Sequence, residues 1–267
     1  RIANSDAMGT TKFPAMSEIG ATGDPAQAYN VGATIGREIS ELGFNLDFAP
    51  VADISTNADN TEIGSRSFGG DADLVSDMVS QEVKGLQDNG VSSTLKHFPG
   101  QGDSGEDTHK GFVNLDVTID RLRDVEFEPF KAGISAGADV VMMSHVAVRN
   151  ITQNEVPASL SSLMVTDILR EEMQFDNIII TDAMNMKIIT KFYDAGEAAV
   201  MAIEAGNDMI LMPDDFVSAY EAVYEAVLDG TLTERQINQA VSRILTVKIR
   251  RGILPLSSSL LANIVQQ

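Results

Sequence analysis

What most constrains the fold is an alternation that recurs five times along the chain: a stretch of helical periodicity and a short apolar run. The helical stretches are Asp24 to about Leu42, Asp71 to about Asn89, Thr118 to Ala136, Ser161 to Met173 and Ala195 to Ala205. The apolar runs are Asn45 to Val51, Ser92 to Leu95, Ala138 to Met143, Asn177 to Ile180 and Asp208 to Met212. These runs are too apolar to leave one face in water. Strands buried on both faces and joined by helices form parallel α/β sheets. Helix ends are marked as well. Asp24 before Pro25 predicts a cap, with Gln27 closing a capping box, and Gly43 stops that helix. The tail holds two further helices, the second capped by Thr233 with Gln236.

Polar residues close nearly every run: Asp53, Lys96 with His97, Ser144 with His145, and Asp182. In a barrel all strand ends face one mouth, so functional groups drawn from successive strands favour a (β/α)8 TIM-like barrel over an open doubly wound sheet. No early strand leads into Gly-x-Gly-x-x-Gly, which argues against a dinucleotide site. Five strands cannot close an eight-stranded barrel. The expectation is a barrel truncated at its N-terminus, with the missing strands preceding Arg1 and two sheet edges left open. The start at Arg1, without an initiator methionine, fits a fragment or a processed product. Residues 1–255 are expected to form the partial catalytic barrel, and 256–267 a C-terminal tail.

With 267 residues and 43% hydrophobic content, the chain can build one large core. It has no cysteine, which excludes disulfides and a thiolate nucleophile. Acidic residues outnumber basic ones 39 to 19, for a net charge of −20. That charge disfavours nucleic acid and anionic membranes as partners. No apolar run reaches the roughly 20 residues that span a bilayer. Absence of cysteine slightly favours an extracellular or cell-surface location over the cytoplasm. Oligomeric state is not legible.

Two of the three histidines fall in one short stretch, Lys96-His97-Phe98-Pro99-Gly100-Gln101-Gly102-Asp103 followed by Asp107-Thr108-His109. Asp182 follows three isoleucines, and a charge at the edge of a dry core needs a reason. It is either a helix cap or ion-pair partner, or a nucleophile kept ionised by Lys96 or Arg66. Asp107 and His109 are spaced for a carboxylate–imidazole hydrogen bond, which would let His109 exchange a proton near neutrality; the alternative is a polar surface loop. Lys96 and His97 could bind substrate hydroxyls, or Lys96 could form a Schiff base. His97, Asp103, Asp107 and His109 match no standard zinc spacing. Arg66, in a glycine-bearing loop, is a substrate clamp or a surface ion pair. Asp53 is a mouth carboxylate or an internal partner of Lys96. His145 meets substrate or only its neighbours. The methionines are mostly core filler, with Met184 or Met186 able to line a pocket.

Lys96 to Asp103 with Asp107-Thr108-His109, and Ile180-Thr181-Asp182-Ala183-Met184, resemble glycoside hydrolase family 3 in its β-N-acetylglucosaminidase branch. Asn45 to Asp53, Gly64 to Gly69, Met143-Ser144-His145, Gly206 to Leu211 and Arg243-Ile244-Leu245 fit the same pattern. The resemblance covers essentially residues 1–255. It implies a (β/α)8-like barrel that removes terminal β-linked N-acetylglucosamine with retention, acting on glycans or peptidoglycan fragments, as in cell-wall recycling. It makes Asp182 the nucleophile and His109, paired with Asp107, the acid/base. Arg66, Lys96 and His97 match sugar-binding residues; Asp53, His145 and Met184 are further substrate-binding candidates. No metal or organic cofactor is required. Gln101 stands where the branch commonly has histidine, a change expected to alter loop packing more than chemistry. The family's Asp-Glu/Gln-Glu-Gly-Gly segment, whose aspartate grips sugar hydroxyls, would precede Arg1, so the chain alone is expected to be inactive or nearly so. Alternatives are phosphorolysis, with phosphate replacing water, and a non-catalytic carbohydrate-binding remnant.

Overall fold

The computed structural model describes residues 9–104 and 113–255. Four strands pair in chain order and all in parallel: β1 (Thr94–Phe98), β2 (Val140–Met143), β3 (Ile178–Ala183) and β4 (Met209–Leu211). Helices Pro25–Glu41 and Ala72–Asp88 precede β1. A helical run over 119–135 joins β1 to β2, with a wider turn at Leu122–Glu126. Leu163–Glu172, also wide-turned, joins β2 to β3, and Ala195–Ala205 joins β3 to β4. This is the repeating unit of a (β/α) barrel wall. Among the described residues the wall stays open, with β4 paired only to β3.

The expected strand Asn45 to Val51 lies beside β1 but forms no continuous ladder with it: the two share isolated parallel bridges at Leu46–Ser92 and Val51–Lys96 and a bond from the Thr94 N–H to the Ala49 carbonyl at 2.7 Å. Pro50 explains the interruption, because it has no N–H to give to a ladder. β1 and β3 both run further than expected. β1 includes Lys96 and His97, and β3 includes Thr181 and Asp182. Both carry register shifts there, between Lys96 and Phe98 and between Ile180 and Ala183.

Alternation sorts the strand residues. Leu95, Val141 and Ile179 face the helices in the main core. Val140, Met142, Ile178 and Ile180 face inward and pack with Val247 and Ile244. Those last two belong to the helix Glu234–Arg250, which crosses the N-terminal end of the sheet. Arginines fix it there: Arg250 and Arg251 reach the buried Asp139 at 2.6 and 2.5 Å, and Arg243 reaches Asp208 at 2.8 Å. Asp139 and Asp208 lie just ahead of β2 and β4, so one end of the wall is closed and the strands' C-terminal ends stay open.

The caps follow the sequence with one exception. Asp71 accepts from the Leu74 N–H, and Thr233 with Gln236 forms the expected capping box. Asp24 accepts from the Ala26 N–H, but Gln27 bonds the Asp24 carboxylate instead of the cap backbone. Among the described residues no helix is long and apolar enough to cross a membrane. The expected tail, 256–267, lies outside the described residues.

Candidate active site

At the C-terminal ends of β1 and β3 lies a cavity of about 410 Å³, lined by Lys96, His97, Asp182, Arg66, Glu62 and the apolar Phe48, Met142, Met186 and Leu211. In a regular strand Lys96 and His97 would point to opposite faces. The register shift after Lys96 removes that alternation, and both side chains line the same cavity. The shift in β3 likewise presents Asp182 inward, while the Thr181 hydroxyl accepts from the Leu211 N–H at 3.0 Å.

Asp182 accepts from its neighbour's Ala183 N–H at 2.7 Å. Burial opposes its ionisation, but His97, His145, that N–H and Lys96 outweigh burial and hold the carboxyl below its ordinary value. Burial and the adjacent Arg66 push the Lys96 ammonium below the usual lysine value, against the pull of Asp47, Asp182 and Asp53. Arg66 is exposed at the cavity edge and donates to the Glu62 carbonyl at 3.1 Å. A carboxylate, an ammonium, an imidazole and a guanidinium thus converge on an apolar-walled space.

Two candidates, Asp53 and Met184, sit elsewhere than the sequence reading placed them, and a third, His145, takes the second of its two alternatives. Asp53 is fully buried, not at a mouth, and its partner is His97, not Lys96: the His97 Nδ1 lies 2.7 Å from its carboxylate. His145 is buried with both ring nitrogens engaged. Its Nε2 donates to the Ala183 carbonyl at 3.1 Å, so Nδ1 accepts from the Ser159 hydroxyl at 2.7 Å. Burial pushes this imidazole below its ordinary pKa despite the nearby Asp182. It meets the site through the Ala183 carbonyl and through its electrostatic influence on Asp182. Met184 packs outward with Ile188 and Ile189 and lines a different, larger cavity of about 580 Å³ between helices Ala195–Ala205 and Phe216–Asp229. Asp182 does not line that larger space, so the smaller cavity is the candidate. Met186, in the turn after β3, is the methionine that lines Asp182's cavity.

The loop after β1 is anchored up to Ser104. The Gln101 N–H donates to Asp53 at 2.8 Å, and the Ser144 hydroxyl donates to the Gln101 side chain at 2.7 Å. Asp103 accepts from the Thr56 hydroxyl at 2.8 Å. A Cβ on Gly102 would stand 1.8 Å from the Ile54 carbonyl oxygen, so only glycine fits. Gln101 therefore serves loop packing. Asp107 and His109 lie outside the described residues. Among the described residues no three His, Cys, Asp or Glu side chains are grouped to hold a metal. The sequence reading missed Phe48, Met142 and Leu211, although two-residue alternation puts Met142 on the same face as Val140. It also missed Glu82, a buried acid whose pKa is pushed up to about 8 by burial and Asp47, against the pull of Lys96.

Known proteins are similar to this chain in sequence and in fold. The β-hexosaminidase A of Pseudoalteromonas piscicida is 30% identical over 286 residues, covering 98% of this chain and 47% of its own length. A solved glycoside hydrolase family 3 β-N-acetylglucosaminidase from Paenibacillus sp. str. FPU-7 superposes with a TM-score of 0.87 at 40% identity, over 91% of this chain and 48% of that one. A β-glucoside phosphorylase, BglX, superposes at 0.88 with 28% identity, over 93% and 46%. The chain spans about half the length of these relatives. The model of the glycosyl hydrolase family 3 N-terminal domain matches residues 4–247, nearly the whole of the described wall, and the chain belongs to that family.

Proposed function

We propose that this chain carries the catalytic barrel of a retaining glycosidase that releases terminal β-linked N-acetylglucosamine. The observation that carries the reading is Asp182: a carboxylate held ionised at a strand end, facing a cavity edged by Lys96, His97 and Arg66. Asp182 would attack the anomeric carbon while His109, oriented by Asp107, protonates the leaving oxygen. Charge spreads over C1 and the ring oxygen in the transition state, and a glycosyl ester forms on Asp182. Water deprotonated by His109 then releases the sugar. Lys96 and Arg66 would donate to sugar hydroxyls, and Met142, Met186 and Leu211 would pack on apolar faces of the ring or its acetyl group. Chitooligosaccharides and peptidoglycan fragments both present the required terminal sugar. The named relatives from Pseudoalteromonas piscicida and Paenibacillus support this choice of sugar.

The test uses the longest natural form of the protein. An aryl β-N-acetylglucosaminide should be cleaved faster than the matching β-glucoside; the opposite ratio would reject the sugar assignment. Phosphorolysis is the second reading, favoured by the equally close superposition on a β-glucoside phosphorylase. Added phosphate distinguishes them: free sugar supports hydrolysis, and a sugar 1-phosphate supports the phosphorylase.

A further inference from the structure

We propose that Asp53 is a positioning residue that locks one tautomer of His97, leaves Nε2 as the ring nitrogen on the cavity side, and so fixes the electrostatic surroundings of Asp182. The inference rests on the assignment of this cavity as the active site and adds a residue that acts through another.

Asp53 is fully buried and uses both carboxylate oxygens. One accepts the His97 backbone N–H at 3.1 Å and contacts His97 Nδ1 at 2.7 Å; the other accepts the Gln101 N–H at 2.8 Å. An ionised carboxylate can only accept, so the Nδ1 proton is on the ring. Nε2 is then an acceptor when His97 is neutral and a donor when it is charged, beside the obligate donor Lys96. The same residue's carbonyl accepts from the Ser67 hydroxyl at 2.7 Å, next to Arg66. Asp53 thus holds three parts of the wall at once: the imidazole, the loop leaving β1, and the loop carrying Arg66. Carboxylate–imidazole pairs of this kind set ring orientation and proton placement.

His97 in turn favours the ionised form of Asp182. The other charged groups facing Asp182 and His97 are Lys96 from β1, His145 from the segment after β2, and Arg66 and Glu62 from the loop before helix Ala72–Asp88. None of them replaces Asp53 as the acceptor of Nδ1–H.

The first test needs no turnover. In protein labelled with 15N at histidine, long-range 1H–15N NMR reads the tautomer of His97, assigned by its loss in His97→Gln. The expected state is Nδ1–H; an Nε2–H ring in the unaltered protein overturns the proposal. Asp53→Ala should convert the ring to Nε2–H, the form imidazole favours in water, and an unchanged tautomer would also overturn it. If that variant does not fold, Asp53→Asn keeps the shape and removes the charge. Its kcat/KM should lose its acidic limb at a pH higher by roughly one unit. The same change in a His97→Gln background should leave the limb in place. An unmoved limb in Asp53→Asn, or equal shifts in both backgrounds, leaves Asp53 as packing alone. If no glycoside is cleaved at all, the glycosidase reading fails while the tautomer measurement still decides this one.

Discussion

At the scale of single residues, the sequence exposed what is chemically conspicuous and concealed what depends on direction. Asp182, Lys96, His97 and Arg66 stood out as charges beside apolar runs, and the cavity collects all four. Asp53, His145 and Met184 were equally visible, yet their side chains turn inward or outward from the site. One shifted register reverses the parity of everything after it, and no composition rule predicts where that happens. The role of Asp182 gives a sharp expectation. Asp182→Ala should lower turnover by roughly 10³-fold or more, because it removes the proposed attacking group. A slow fluorinated substrate should leave its sugar on Asp182 by mass spectrometry; label on another carboxylate would reassign the nucleophile. His109→Ala should slow substrates with poor leaving groups far more than those with good ones, since a good leaving group needs little protonation. Equal losses across a leaving-group series would remove His109 from the acid role.

At the scale of elements, the helices and their caps were legible to within a residue or two, since Asp71, Thr233 and Gly43 act locally. The strands were less so. Asn45–Val51 has a strand's composition, but Pro50 breaks its ladder, and β1 and β3 continue through polar residues that look like loop. Within helix Ala72–Asp88, Glu82 falls on the apolar stripe, four residues after Met78 and four before Leu86, so periodicity pointed to its burial although its charge argued for the surface. Its raised pKa of about 8 has a direction for stability. The folded state prefers the protonated acid, so this contribution is full below the unfolded pKa near 4.5 and is lost as pH rises toward 8. Glu82→Gln, which cannot ionise, should therefore stabilise the chain at pH 8 on the order of a few kcal/mol and change little at pH 4. Urea unfolding at the two pH values measures this. An equal effect at both would mean that Glu82 folds ionised.

At the scale of the whole molecule, the parallel α/β plan followed from period alone, whereas the closing of one barrel end by helix Glu234–Arg250 did not. That closure depends on pairings between Arg250 or Arg251 and Asp139, more than a hundred residues apart. The opposite problem is surface left uncovered. Among the described residues β4 pairs on one side only, and its three residues are half-buried. Beside it, helix Phe216–Asp229 exposes Phe216, Tyr220, Tyr224 and Leu228 to between 56% and 72%. Three of these rings stack along one face, with centroids 6.5 Å apart. An unpaired strand edge and a contiguous apolar stripe both invite association. The net charge of −20 works against it through mutual repulsion. Repulsion between exposed charges fades as the screening length falls to about 10 Å at 0.1 M salt and about 3 Å at 1 M, while apolar contact does not weaken. The 267-residue chain should therefore self-associate more strongly as salt is raised. Analytical ultracentrifugation across a salt series would follow this, and a double substitution Tyr220→Lys with Leu228→Lys should restore the monomer at each salt concentration. Salt-driven dissociation would mean that ion pairs hold the assembly. A monodisperse monomer throughout would mean that the stripe and the β4 edge do not drive association.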